Sequence, residues 1–344
     1  MDSVLTEERR KKLPSWLPQA FGYLLSAACL AWVLHEYDLR EIGRAIRNLE
    51  WKWVTVAVLA DLLVYVVHGW RWKTLLSPVV RLPFWRTVQA IYIGLFANEV
   101  LPLRTGELIR CYLLAHWNNL RISISFASAA VERVIDGFWM VLFFIVTAAF
   151  LKLPGYMVDF VQFLAVLLVL ASLLLAYVMM HRQHAHSLIR ESRWASTLRH
   201  LVEGLHEMGR WRSFSRTIVV SLLYFVLQIV TIYGLMRAYG LDLSVLAAAA
   251  ILTVIRFGTV IPSAPGNLGL FQASMVLALG LFEVEANDAK TFSFVTFFAL
   301  TLPLLVGGAI AVALTGLKLK EIRSRARAGS AESRASEAGD TSAL

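Results

Sequence analysis

Apolar residues run in long blocks along most of this chain, broken by short polar connections in which arginine and lysine collect. The blocks at residues 16–34, 51–70, 123–151, 156–180, 217–236 and 291–317 approach or exceed the roughly twenty residues that an α-helix needs to cross a bilayer. Four others are shorter and come in pairs: 87–101 with 106–117, and 243–261 with 267–282. Each pair surrounds a break of the same design. Val100-Leu101-Pro102-Leu103-Arg104-Thr105-Gly106-Glu107-Leu108 aligns with Val260-Ile261-Pro262-Ser263-Ala264-Pro265-Gly266-Asn267-Leu268, placing Pro102 over Pro262 and Gly106 over Gly266. Proline ends one helical segment, and glycine lets the chain turn before the next begins. The pattern predicts an all-α polytopic membrane protein with about six full transmembrane helices and two Pro/Gly-broken re-entrant hairpins. A matched pair of broken segments is the sequence pointer to a transporter-type site at the bilayer midplane.

Charge placement sets the expected orientation, because cytoplasmic connections are rich in Lys and Arg. Arg9, Arg10, Lys11 and Lys12 precede the first span, Arg71, Lys73, Arg81 and Arg86 follow the second, and residues 181–216 hold seven arginines against three glutamates. Lys318, Lys320, Arg323, Arg325 and Arg327 follow the last span, so both termini are expected inside. The first hairpin then enters from the cytoplasm and the second from the far side, an inverted repeat with halves at about 51–151 and 217–317; the second is also long enough to cross fully twice, which leaves the parity unchanged. Residues 1–15 form a basic N-terminus, 16–317 the membrane domain and 318–344 a basic, then polar tail expected to be disordered. Residues 38–49 predict an amphipathic helix on the far surface, and 194–208 another inside the cytoplasmic loop. Trp51, Trp53, Trp70 and Trp72 bracket the second span like interfacial anchors.

Composition agrees with a membrane protein: 58% of the 344 residues are hydrophobic, 17% are charged, and the mean hydropathy is +0.63. The net charge of +9 does not indicate nucleic-acid binding, since the basic residues sit in the connections between spans. Leu25-Ser26-Ala27-Ala28-Cys29 resembles a signal-peptide cleavage site, but the apolar run continues through it, as in a retained helix. Cys29 and Cys111 fall in separate hydrophobic segments and suggest no disulfide, while His181, His184 and His186 lack a carboxylate or cysteine to complete a metal site. No metal and no cofactor is expected.

The charges inside the apolar segments carry the functional reading, because burying them is costly and they must pair or face water. Arg104, Glu107 and Arg110 follow the first break at i, i+3 and i+6, with Thr105 as the expected N-cap. Glu132, Arg133 and Asp136 in the next span are their expected partners, and Arg256 lies just before the second break. Counted together these are four arginines against three carboxylates, and the one spare cation suits an anionic headgroup phosphate near two half-helix N-termini. A self-satisfied ion-pair network holding the hairpins is the competing reading. Asp61, Tyr65 and His68 share a helical face in the second span. They suit a proton relay, or else Asp61 neutralises an arginine and His68 sits in the headgroup zone.

Three motifs stand in order: Pro102-x-Arg104-x-Gly106-Glu107-x-x-Arg110, Glu132-Arg133-x-x-Asp136, and Pro262-x-x-Pro265-Gly266-x-x-Gly269. Together they resemble the signatures of the lysylphosphatidylglycerol synthase transmembrane-region family of flippase-like proteins, over about 16–317. The resemblance implies an integral protein of the bacterial inner membrane that moves or modifies lipids. In fused members this region flips aminoacylated phosphatidylglycerol made by a soluble transferase domain, for which this chain has no corresponding segment. Asn267 stands where that pattern commonly has glycine and Gln272 where it commonly has glutamate, which weakens the case for a cationic lysyl-lipid cargo. The expected function is therefore a lipid flippase or transporter for a phospholipid, aminoacylated phosphatidylglycerol, hopanoid or polyprenyl-linked lipid. The alternatives are a non-transporting partner that recruits a lipid-synthesis enzyme and, less favoured, an enzyme acting on lipid headgroups. No nucleophile–base pair, HExxH or Gly-Lys-Ser/Thr loop supports the enzyme reading. Membrane lipids are the expected partners, with a lipid-synthesis enzyme or a second copy of the chain left open.

Overall fold

The computed structural model describes residues 17–101 apart from 36 and 39, 105–150, scattered positions between 155 and 173, 211–260 and 264–315. Pro102, Arg104, Pro262, the three histidines at 181–186, the helix expected at 194–208, most of the span expected at 156–180 and the 318–344 tail lie outside the described residues. What is described is helical, without a strand. In chain order the elements are α1 (Leu17–Leu34), α2 (Arg40–Asn48), α3 (Trp51–Leu76), α4 (Phe84–Val100), α5 (Gly106–Trp117), α6 (Ile122–Phe150), α7 (Trp211–Tyr239), α8 (Val245–Gly258), a 3₁₀ turn at Pro265–Asn267, α9 (Leu270–Gly280) and α10 (Ala286–Ala313).

Among the described residues, three helices are long and apolar enough to cross a membrane: Trp51–Leu76, Ser213–Tyr239 and Ala286–Ala313. The 29 residues of α6 give it the length, but Glu132, Arg133 and Asp136 interrupt its apolar character. By contrast α5 has 12 residues and α9 has 11. At about 1.5 Å per residue each falls well short of a hydrocarbon core about 30 Å thick. The outward faces carry exposed Leu59, Leu63, Leu302, Val306 and Ile310, suited to lipid rather than water.

Two helices run farther than the sequence pattern suggests. α3 continues past Trp70 to Leu76, so Arg71 and Trp72 do not flank the membrane: both are fully buried, and Trp72 Nε1 donates to Ser128 Oγ at 2.8 Å. Trp51 and Trp70 are exposed, as interfacial anchors would be. α7 begins at Trp211 and takes in Arg212 and Arg216 from the expected loop. Tertiary contacts decide the first case, since the buried partners of Arg71 lie on another helix. Apolar and polar runs along one helix cannot show them.

Contacts at the helix ends sort the chain between two surfaces. On one, Glu50 N donates to Ala238 O, Tyr239 OH to Asp288 Oδ1, and Tyr37 OH lies 2.7 Å from Thr291 Oγ1. On the other, Ser77 Oγ lies 3.0 Å from Ser213 Oγ, Gln89 Nε2 donates to Ala311 O, and Arg86 stacks over Trp117. Helix α4 starts and α5 finishes at this second surface, whereas α8 starts and α9 finishes at the first. The amphipathic α2 lies at the first surface, with Asp38 Oδ1 accepting from Arg40 N and Ile42 packed toward Val33 and Phe294.

Packing is paired in the same way. α3 lies along α7, and further pairings match between halves: α3 with α4 and α7 with α8, α4 with α5 and α8 with α9, α5 with α6 and α9 with α10, α4 with α10 and α8 with α6. Two apolar cores result, one centred on α3 to α6 and one on α7 to α10. Outside that pairing, α1 packs on α9, where Ser26 Oγ accepts from Ala264 N at 3.0 Å.

Glycine makes the first turn possible. A Cβ at Gly106 would run into the Gly94 carbonyl oxygen and the Asn98 side chain, so only glycine lets α5 lie this close to α4. Gly106 N donates to Asn98 Oδ1 at 2.8 Å. The expected cap is different: Thr105 makes no side-chain cap, and its Oγ1 is buried without a partner among the described residues. At the second turn Gly266 and Gly269 have φ of 66° and 89°, left-handed values that favour glycine, and Asn267 adopts 55°.

Candidate functional site

Between the tips of the two helix pairs lies a cavity of about 540 Å³. Its polar lining comes from nearly every packed element: Asp61, Tyr65 and His68 from α3, Asn98 and Glu99 from α4, Glu107 from α5, Arg133 from α6, Gln228 from α7 and Arg256 from α8. Gly266 and Asn267 of the second turn complete it, and a Cβ on Gly266 would strike the Glu99 carboxylate. The rest of the wall is apolar, including Leu95, Phe126, Phe271 and Phe297.

Behind the cavity the charges form a dry network. Arg110 Nη2 lies 2.7 Å from Glu107 Oε2 and 3.0 Å from Glu132 Oε2, with its Nη1 3.3 Å from His68 Nε2. Arg71 Nη1 donates to Asp136 Oδ1 at 2.5 Å, and Arg71 Nε is 3.5 Å from Glu132 Oε1. Both guanidiniums also stack on aromatic rings, Arg110 over Trp72 at 4.7 Å and Arg71 over Tyr224 at 4.5 Å. Such cation–π contacts replace part of the lost hydration. Glu132, Arg71 and Arg110 are essentially inaccessible, and these pairs tie α3, α5 and α6 together.

At the cavity wall the network loosens. The Arg133 side chain is 54% exposed, with Asp136 Oδ2 at 3.5 Å and Glu107 Oε1 at 3.9 Å. Arg256 is half-buried and donates to Gln228 Oε1. These two guanidiniums line the cavity and are not enclosed by the network as Arg71 and Arg110 are.

The structure thus divides the residues expected from sequence. Glu107, Arg133 and Arg256 line the cavity, while Arg110, Glu132 and Asp136 stand behind it. Asp61 and Tyr65 line it and are hydrogen-bonded to each other at 2.7 Å. His68 is only 4% exposed and lies beside Arg110 and Glu132, not in a headgroup zone. Gln272 is fully buried, away from the cavity, where its Oε1 accepts from Gly269 N at 2.7 Å and caps α9. Its role here is in the turn. Pro265, Gly266 and Gly269 shape the same turn.

The sequence count of four arginines against three carboxylates omits Arg71, and its Arg104 lies outside the described residues. Arg71 joins the network, and Glu107, Glu132 and Asp136 all engage arginines. Among the described lining residues, Asp61, Glu99 and Glu107 stand against Arg133 and Arg256. Arg71, Asn98, Glu99 and Gln228 were missed from sequence. A signal existed for Arg71, since it continues the Asp61–Tyr65–His68 face at i+3. Asn98 and Glu99 are the last polar residues before the first break. Gln228 is a lone amide in an apolar helix.

Long apolar helices packed with short helix pairs around a polar cavity describe an integral membrane protein. The sequence matches the family described as the lysylphosphatidylglycerol synthase transmembrane region over residues 19–308, and the chain belongs to that family. Among its relatives are UPF0104 membrane proteins of Methanothermobacter thermautotrophicus. One is 24% identical over 289 residues, covering 77% of this chain and 82% of the relative. Another is 21% identical over 262 residues, covering 69% and 78%. The glycosyltransferase AglD of Haloferax volcanii is 28% identical over 116 residues, 33% of this chain and 19% of that protein. No solved structure matches the chain.

Proposed function

We propose that this protein is a lipid flippase or transporter of the bacterial inner membrane, passing an anionic or modified headgroup through the cavity between two re-entrant hairpins. The observation that carries the reading is the junction itself. Two short helix pairs that start from opposite surfaces meet at a cavity whose accessible guanidiniums, Arg133 and Arg256, come from opposite halves. The matched packing of the halves supports an inverted repeat, the plan by which one half rocks against the other to alternate access. Six full spans with both termini cytoplasmic follow from that plan and from the arginine-rich connections. A planar guanidinium binds phosphate oxygens in two-pronged fashion, while the lipid tails remain against the apolar outer faces. The candidates are a phospholipid, an aminoacylated phosphatidylglycerol, a hopanoid or a polyprenyl-linked lipid.

The test is reconstitution of the purified chain into liposomes with a panel of fluorescent lipids, followed by reduction of outer-leaflet probe with an impermeant reagent. Accelerated exchange of one or more anionic lipids over empty liposomes is expected. No acceleration for any headgroup would overturn the reading. A second reading, a non-transporting partner for a lipid-modifying enzyme, is favoured by the stretch shared with a protein named as a glycosyltransferase. Co-purification of such an enzyme with a chain that moves no lipid would select it.

A further inference from the structure

Asp61 differs from the other membrane-embedded carboxylates whose partners are established. Glu107, Glu132 and Asp136 each lie within 4 Å of an arginine nitrogen. The Asp61 carboxylate is 7% exposed and accepts one hydrogen bond, from Tyr65 OH one turn along its own helix, with no arginine or lysine nitrogen within 4 Å among the described residues. Glu99 has contacts of its own. Asp61 stands ten residues into α3, about 15 Å from its start, near the middle of a bilayer core. It also lines the cavity through which the headgroup is proposed to pass.

The surroundings give this charge no direct ion pair among the described residues, and Arg256 acts on it only across the cavity. On α3 its neighbours along the cavity are Tyr65 and His68, and His68 is engaged with Arg110 and Glu132. α4 supplies Glu99 and the Tyr92 phenol, which packs on Tyr65. Glu107 of α5 and Arg133 of α6 are already partnered with each other's network. From α7 come the Tyr224 phenol and the Gln228 amide, and that amide holds the guanidinium of Arg256 on α8. The described lining residues of α10 are apolar or hydroxylic. A carboxylate at this depth without a direct ion pair among the described residues is suited to bind a proton, because unpaired charge at the membrane centre is costly.

We propose that Asp61 is a proton-binding site, and that one proton carried on it accompanies each anionic headgroup through the cavity. The coupling half of this inference rests on the transport function proposed above. The step is simple: a hydronium ion in cavity water gives its proton to a carboxylate oxygen, an O–H bond forms, and water is left. No other bond changes. With Asp61 neutral, the described lining holds two carboxylates against two guanidiniums, and an anion no longer meets an excess of negative charge. Proton and anion then favour each other's binding by the same factor, as linkage requires.

The experiment uses wild-type chain in liposomes treated with dicyclohexylcarbodiimide, which adds to protonated carboxyls in apolar surroundings and leaves a stable N-acylurea. Mass spectrometry of the digested protein should place one adduct on Asp61, declining as the pH is raised and absent in Asp61→Asn. No adduct on Asp61 at any pH, or protection by sodium ions at constant pH, would overturn the proton site. In the same liposomes, fluorescent phosphatidylglycerol should move faster when a proton gradient is imposed, and Asp61→Asn should abolish that response. Lipid movement indifferent to the gradient would sink the coupling alone. Labelling of Asp61 with no lipid movement would instead count against the transport function while the proton site stands.

Discussion

Arg71 on α3 and Asp136 on α6 meet at 2.5 Å with the arginine side chain wholly inaccessible, although their neighbours in sequence suggest a cytoplasmic connection for one and a lipid-crossing helix for the other. That pair extends to Glu132, Arg110 and Glu107 and ties the first hairpin to both flanking helices.

Removing one member of this network should cost about 3–5 kcal/mol, since it strands a buried charge. Arg71→Leu is expected to lower the melting temperature in detergent markedly. The double variant Arg71→Leu with Asp136→Leu should recover part of the loss. Equal melting temperatures for wild type and Arg71→Leu would mean that the network contributes no stability.

At the cavity wall the expected pattern reverses. Arg133→Gln should leave the melting temperature close to wild type, because its own side chain is half-exposed and its partners keep other arginines, Asp136 on Arg71 and Glu107 on Arg110, yet it should impair lipid exchange in liposomes. Arg110→Gln, behind the wall, should fail first in stability. If both variants transported normally, the headgroup would not use this side of the cavity.

Gly106→Ala should prevent α4 and α5 from closing, because the added methyl meets the Gly94 carbonyl, a backbone atom that cannot step aside. Loss of folded protein on size exclusion is expected. Gly280→Ala, whose Cβ would meet nothing within 4 Å, is the matched control and should purify as wild type.

Ser26→Ala removes the acceptor for Ala264 N and should cost about 1 kcal/mol. The effect is local: hydrogen exchange should quicken at the second turn and remain unchanged in α5. Uniform exchange across both hairpins would show that α1 does not brace the second one.

Orientation is open to a direct measurement. In a chain whose native cysteines are replaced, Asp38→Cys and Glu285→Cys, both exposed at one surface, should react with an impermeant thiol reagent from outside the cell. Arg81→Cys, exposed at the other, should react only after the membrane is opened. The reverse result would invert the proposed topology.

The membrane class, both breaks and most helix positions follow from sequence because lipid imposes a one-dimensional rule: apolar residues must run long enough to cross, and proline with glycine marks where they do not. Gly106–Trp117 emerges at the expected ends, and the helices flanking the second break lie within a few residues of theirs. The pairing of Arg110 with Glu132 was also within reach, because membrane charges need partners and few were on offer. Which charges face the cavity was not. Arg71 reads as one more basic residue at a helix end until α6 brings Asp136 against it, and Gln272 reads as a cavity residue until its amide is seen closing the turn at Gly269. Burial and accessibility belong to the packed assembly of helices. A hydropathy pattern states that a charge lies at membrane depth, but only the neighbours contributed by distant helices decide whether it is locked in an ion pair or left facing water.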